Sequence, residues 1–264
     1  MALIPPIINV MEKACKNAAK SLVRDFGELE NLQISKKDIN DFVSSADIKA
    51  SKSIAYSLDN DKPDYLQIDE ENFKSSDKEK LNQDKPIFII DPLDGTLNFM
   101  HGIPFFAISI GLAIKKEIIA GTIYNPILNE FFWAHKGSGS WLNNKRIRVS
   151  KRRKLEDCII STGFQIKHQS TLPSYFKEFI SIGSKTGIRR LGSAALELSY
   201  VADGKIDGFW EHNLNMWDIA AGIILVKEAG GIVTNEKGNS FDLLSDLSLI
   251  ASNHAIYDEF IKNL

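Results

Sequence analysis

The sequence predicts a layered α/β fold, and three features carry the prediction. Two amphipathic helical stretches come first, a series of short β-branched and aromatic runs follows from residue 87, and strand-like and helix-like segments alternate from about residue 155. Such alternation buries the faces of a sheet under helices. Behind Pro5-Pro6, the residues Ile7, Met11, Cys15, Ala18 and Leu22 recur every three to four positions, the signature of a helix whose first turn tolerates proline. A second helix is expected over Asp47–Leu58, where Ala50, Ile54 and Leu58 are four apart and Asp47 stands where an N-cap belongs. A short strand, Tyr65–Ile68, comes next. The runs IFII (87–90), FFAISIGLAI (105–114), EIIAGTIY (117–124) and EFFWAH (130–135) then read as a meander of mainly antiparallel strands. After it come strand Cys158–Thr162, helix Leu172–Ile182, strand Gly187–Leu191, helix Ser193–Ala202, strand Ile206–His212 and helix Met216–Ala229. A boundary near 150 divides the chain into an N-terminal α+β half, 1–150, and a C-terminal α/β half, 151–264, sharing an interface.

Composition excludes several classes. The 264 residues are 44% hydrophobic and 25% charged with 17 Gly and 8 Pro, which rules out fibrous and disordered chains. With 32 basic against 34 acidic side chains the formal charge is −2, so the chain as a whole is not built around nucleic acid or anionic lipid. Cys15 and Cys158, the two cysteines, are too few for a Cys₄ or Cys₂His₂ site and read as buried thiols in a reducing compartment. Apolar runs such as Ala107–Ile114 and Ile219–Val226 fall short of the roughly 20 residues of a membrane span. The opening MALIPPIINVMEK lacks the basic start of a secretory signal, so a cytoplasmic address is expected.

The chemistry concentrates in IFIIDPLDGTLNF, residues 87–99. An apolar strand ends in Asp91, Asp94 follows three residues later, and Gly95-Thr96 opens a helix. Two carboxylates at a strand end can share a hard cation, and the helix start beside them offers free N–H groups to an oxyanion. Further acids are Asp47, the pair Glu70-Glu71, and Asp218 at the start of a helix. Singly each reads as an N-cap or a solvated acid. Gathered, two carboxylates about 4 Å apart repel by roughly 4 kcal/mol at an effective dielectric of about 20, so the cluster holds either protons or divalent cations. All-oxygen donors favour Mg²⁺.

These segments resemble the Mg²⁺-dependent inositol monophosphatases. The resemblance runs through DFVSSAD (41–47), DEE (69–71), DPLDGTLNF (91–99), LNNKRIRVS (142–150), GSAALELSYVADGKIDGFWE (192–211) and WDIAAGIILVKEAGG (217–231). It implies an αβαβα sandwich, a Mg²⁺-dependent phosphate-monoester hydrolase with two or three Mg²⁺ per site, a homodimer, and inhibition by Li⁺. By the same resemblance Glu70, Asp91, the Leu93 carbonyl, Asp94 and Asp218 hold metal. Thr96, paired with Asp47, positions the attacking water together with Glu70, the Gly95 and Thr96 amides hold phosphate, and Gly192, Ala194 and Glu211 line the polyol side. The N-terminal half then supplies most metal motifs and the C-terminal half completes the site. Myo-inositol 1-phosphate is the leading small phosphorylated polyol substrate. Relatives of this framework also act on fructose 1,6-bisphosphate, 3′-phosphoadenosine phosphate and histidinol phosphate, and the pair Arg189-Arg190 can alternatively greet a second phosphate. Ser44, Asp69, Leu97 and Met216 depart from the usual family residues, with every implied ligand kept.

Two other readings compete. An aspartyl-phosphate route would need aspartates two apart, whereas Asp91 and Asp94 are three apart with no later Gly-Asp-x-x-x-Asp. The stretch KRIRVSKRRK, 145–154, carries seven cations in ten residues and can meet RNA or an acidic protein; charges that guard a strand edge are the commoner explanation.

Overall fold

In the computed structural model, residues 4–32, 36–164, 172–246 and 248–264 are described, with side chains outside 29–44. The side chain of Ser44 therefore lies outside the described residues. Helices α1 (Pro6–Leu32) and α2 (Lys36–Asp61) precede strand β1 (Leu66–Asp69), β2 (Ile87–Asp94) and the short helix α3 (Thr96–Met100). Strands β3 (Ala107–Ile114), β4 (Glu117–Asn125), β5 (Glu130–His135), β6 (Gly139–Leu142) and β7 (Lys145–Ile147) follow. They form one seven-stranded sheet in sequence order, antiparallel except for the parallel pair β1–β2.

The second half contributes β8 (Ile159–Gly163), α4 (Leu172–Gly183), β9 (Gly187–Arg189), α5 (Ala194–Ala202), β10 (Gly208–Glu211), α6 (Met216–Glu228), β11 (Ile232–Thr234), β12 (Leu249–Ser252) and α7 (Tyr257–Lys262). Its strands make a five-stranded sheet in the order β11-β12-β10-β8-β9.

Alternation along the strands builds five layers. On β2, Phe88 and Ile90 face Met11, Leu22, Ile54 and Leu58 of α1 and α2, while Ile87 and Ile89 face the opposite core with α5 and α6. On β10, Phe209 joins that central core and Trp210 faces a third, with Tyr175 and Ile182 of α4 and Phe260 of α7. The order is thus helices, sheet, helices, sheet, helices. Helix α6 is buried from Ile219 to Val226 on every side, because it lies between two sheets. It presses so close to β4 that a Cβ on Gly121 would sit 2.8 Å from the Ala221 Cα and carbonyl oxygen.

Three expectations are corrected. Asp47 does not cap a helix: α2 begins at Lys36, and Asp47 is buried in its interior. Strands β6, β7, β11 and β12, of three or four residues each, are additions to the strands expected from the sequence. The basic stretch is not uniformly free charge. Strand β7 is the sheet edge, but Arg152 donates to buried Asp207 at 2.9 Å, where the carboxylate also receives Ser150 Oγ and, at 2.8 Å, the Ile159 amide. Both cysteines are buried thiols. Among the described residues no helix is long and apolar enough to cross a membrane.

Candidate active site

Strand pairing sets the site. The parallel register of β1 on β2 matches Asp69 with Ile90, so the next residues, Glu70 and Asp91, emerge side by side at the strand ends. Glu70 begins a 3₁₀ turn capped by the Asp69 carboxylate, which accepts the Glu71 amide at 2.9 Å. Between Asp91 and Asp94 the ladder with β3 shifts register, and the Asp91 carboxylate accepts the Leu93 amide at 3.0 Å. Across this kink Asp91 and Asp94 stay within electrostatic reach of each other. Gly95 then adopts φ 91°, a left-handed conformation that starts α3 and brings the backbone against the Phe105 and Gly192 carbonyls.

The other halves of the site arrive from the central helices. Asp218, third residue of α6, accepts the Asn215 amide at 2.8 Å, an N-terminal capping box that fixes its carboxylate. Asp94 is held by the start of α5: the Ser193 hydroxyl and, at 2.8 Å, the Ala195 amide donate to its Oδ2. Neither Ser193 nor Ala195 was singled out in the sequence, although a serine directly before an apolar run is a helix-start signal. Asn98 was also missed. Its amide nitrogen donates to the Phe105 and Leu191 carbonyls at 2.7 and 2.8 Å, tying α3 to the 191–193 turn.

The electrostatics are those of acids crowded out of water. Burial first, then the charges of Glu70, Asp94, Asp218 and Asp47, push Asp91 well above the usual carboxylate range. Burial likewise lifts Glu70 to about 7, Asp47 to about 8 and Asp94 to about 6, the last restrained by its Ser193 and amide donors. Asp218 is also raised well above its ordinary value, by burial and then Asp94. A hydrogen bond to Asp91 partly offsets the rise at Glu70. The Asp47 Oδ1 is buried without a hydrogen-bond partner among the described residues.

A cavity of 290 Å³ opens over this cluster, walled by Glu70, Asp94, Asp218, Gly192, Ala194 and Glu211, with Arg190, Phe164 and Glu197 at its far side. Glu211 lies against Gly163, so closely that a Cβ there would collide with its carboxyl oxygens. A larger hollow of 550 Å³ surrounds His212, which bonds Glu178 and Ser248, but the crowded acids belong to the smaller one. Of the residues implied in sequence, Glu70, Asp94, Asp218, Gly192, Ala194 and Glu211 line this cavity, Asp91 and Asp47 lie within electrostatic reach of those acids, and Leu93, Gly95 and Thr96 are not part of its wall. The Thr96 hydroxyl donates to the Leu93 carbonyl at 2.9 Å, and no bond joins it to Asp47 among the described residues.

The donor set suits a hard cation: oxygens only, on buried Asp91 and half-buried Glu70, Asp94 and Asp218, with an orphaned Asp47 oxygen and mutual repulsion that a divalent ion relieves. Among the described residues no three acidic, histidine or cysteine side chains converge as a ready-made ligand set. Asp91, Asp94 and Asp218 each commit an oxygen to a protein donor instead.

Residues 4–264 match the family model described as the inositol monophosphatase family. The chain belongs to the inositol monophosphatase family. This family member is a phosphatase, and its relatives cover it almost end to end. It is 41% identical to a protein of Caulobacter vibrioides named inositol-1-monophosphatase, over 96% of this chain and 99% of that one. It is 37% identical to the Nus factor SuhB of Pseudomonas aeruginosa, over 98% and 96%. The crystal structure of the extragenic suppressor protein SuhB from Bartonella henselae superposes with a TM-score of 0.86 at 43% identity, covering 98% of each chain. The inositol monophosphatase of Anabaena superposes at 0.85 with 32% identity, over 97% and 94%. The five-layer αβαβα fold is that of these relatives.

Proposed function

We propose that this phosphatase hydrolyses the phosphate monoester of a small polyol, with myo-inositol 1-phosphate as its leading substrate, in the cytoplasm and as a homodimer. The observation that carries the reading is the convergence of Glu70, Asp91, Asp94 and Asp218 from two strand ends and a helix start beside one 290 Å³ cavity. Glu70, Asp91, the Leu93 carbonyl, Asp94 and Asp218 would hold Mg²⁺, two or three ions per site. When bound, the metal supplies charge neutralisation at the phosphoryl oxygens and acidifies the attacking water.

The chain's own groups do the rest. The Gly95 and Thr96 amides at the start of α3 would hold a phosphoryl oxygen. Glu70, lifted to about 7 by burial, is part-deprotonated near neutral pH and can take a proton from water, whereas Asp47, lifted to about 8, mostly holds its own proton there until a cation displaces it. Thr96, fixed on the Leu93 carbonyl, keeps its oxygen lone pairs for that water. Glu211, on the wall with Gly192 and Ala194, accepts hydroxyl hydrogens of the polyol. Halves 1–150 and 151–264 work as one unit, since acids from both border the cavity.

Phosphate release from a substrate panel tests this. EDTA is expected to abolish turnover, and Asp94→Asn to lower kcat/KM at least ~100-fold, since the Ser193 and Ala195 donors hold this oxygen pair in place. Unchanged activity in either arm refutes the metal assignment. Preference for fructose 1,6-bisphosphate, 3′-phosphoadenosine phosphate or histidinol phosphate in the panel would replace the inositol ester as substrate.

A second reading, compatible with hydrolysis, is RNA or acidic-protein binding by 145–154, in line with relatives named Nus factors. Lys145, Arg148, Lys151 and Arg153 are exposed and make no ion pair among the described residues. Binding that is weakened by salt and by Lys151→Ala with Arg153→Ala supports it; salt-insensitive binding or none leaves strand-edge protection alone.

A further inference from the structure

Glu197 is an acid that none of the roles above employs. It sits on α5, 1% exposed, in the innermost layer of the molecule. A carboxyl so placed is costly unless its hydrogen bonds do something the fold needs. One oxygen is fully engaged: Oε1 accepts the Leu191 amide at 2.6 Å and the Gly192 amide at 3.0 Å. Those two N–H groups belong to the turn that leads into Glu197's own helix.

That turn touches the site at three points. Its Leu191 carbonyl receives Asn98 of α3 at 2.8 Å. Its Gly192 carbonyl lies against Gly95, 3.3 Å from where a Cβ would be. Its Ser193 hydroxyl, with the Ala195 amide just inside α5, holds the Asp94 carboxylate. Without Glu197 the Leu191 and Gly192 amides would be stripped of their partner, and the turn would be anchored from one side only, by Asn98.

We propose that Glu197 is a positioning residue of the phosphatase: it clamps the 191–193 turn and so fixes the Asp94 carboxylate for divalent cation and the Gly192–Ala194 wall for the polyol. The inference rests on the functional reading above. Glu197 acts through two backbone amides, one turn and Ser193.

The test compares two replacements of similar size in the full-length protein. Glu197→Gln keeps a carbonyl oxygen for both amides; Glu197→Leu keeps the volume and loses the acceptor. Mg²⁺ binding by isothermal titration calorimetry is expected to weaken about 10-fold in the leucine variant and to stay at the wild-type value in the glutamine variant. Amide exchange in the peptide spanning 188–196 is expected to quicken about 10-fold in the leucine variant alone. Kinetics should show both kcat lowered and KM raised for Glu197→Leu, with rescue by glutamine. If the leucine protein does not fold, Asn98→Ala releases the same turn from its other side and should weaken Mg²⁺ in the same direction. A folded leucine variant, or in its place Asn98→Ala, that binds Mg²⁺ as tightly as active wild type overturns the inference alone. Wild-type protein that binds no Mg²⁺ overturns the functional reading and this inference with it.

Discussion

Replacing Gly163 by alanine probes the alcohol side of the site without touching the proposed metal ligands. Gly163 on β8 pairs in parallel register with Glu211 on β10. The Glu211 carboxyl occupies the space a Cβ would take, with its Oε2 in collision and its Cδ and Oε1 at 2.5 Å. Ordinary contact begins near 3.4 Å, so the carboxyl must withdraw by about 1 Å. It is the far end of a flexible side chain, so the fold survives and the carboxyl moves. A hydrogen bond displaced by about 1 Å is lost, and its worth of about 1.4 kcal/mol corresponds to about 10-fold in kcat/KM. The loss should fall on myo-inositol 1-phosphate and spare p-nitrophenyl phosphate, which has no ring hydroxyl for Glu211 to hold. Mg²⁺ half-saturation should not change, because neither residue is among the proposed ligands. Steady-state phosphate release on both substrates is the assay. An equal loss on both, or no loss on the inositol ester, refutes the role given to Glu211.

Three further outcomes follow from the same geometry. Burial raises Asp47 from 3.8 to about 8 and Glu70 from 4.5 to about 7, so the EDTA-treated fold keeps protons that the unfolded chain has released. Stability should therefore fall as pH rises from about 4 to about 8, and added Mg²⁺ should raise Tm more at pH 8 than at pH 5; a metal-free Tm that climbs across this window contradicts the crowding. Arg152→Ala strips a partner from buried Asp207 and should cost about 1–2 kcal/mol in urea unfolding, whereas Arg153→Ala should cost nothing measurable. Gly121→Ala drives a methyl into the α6 backbone at Ala221, 2.8 Å away, and should destabilise by about 1–3 kcal/mol; an unchanged urea midpoint would show that α6 can retreat.

The acids were legible as a group because DPLDGT with WDIAAG carries the family resemblance in a few residues, whereas singly an acid at a helix start is an ordinary capping residue. Asp47 was legible as an acid and illegible as a position. Its spacing suits an N-cap, yet the helix already runs from Lys36, and burial against the other acids is a tertiary fact. Ser193, Asn98 and Glu197 were missed for a related reason. Ser193 and Asn98 act through hydrogen bonds to residues brought near by folding, Asp94 at a separation of 99 positions and Leu191 at 93, while Glu197 accepts from nearby amides whose turn matters only because folding sets it against Asp94 and Asn98.

Local sequence by itself determined the presence of the long helices, the antiparallel meander and which acids are candidate oxygen donors, since hydrophobic period and side-chain chemistry are properties of neighbours along the chain. Tertiary structure alone decided which acids meet, which edge strand carries the basic stretch, and that Arg152 is spent on Asp207. Those depend on how β1 registers on β2 and how closely α6 lies on β4, distances set by packing between segments that no local pattern connects.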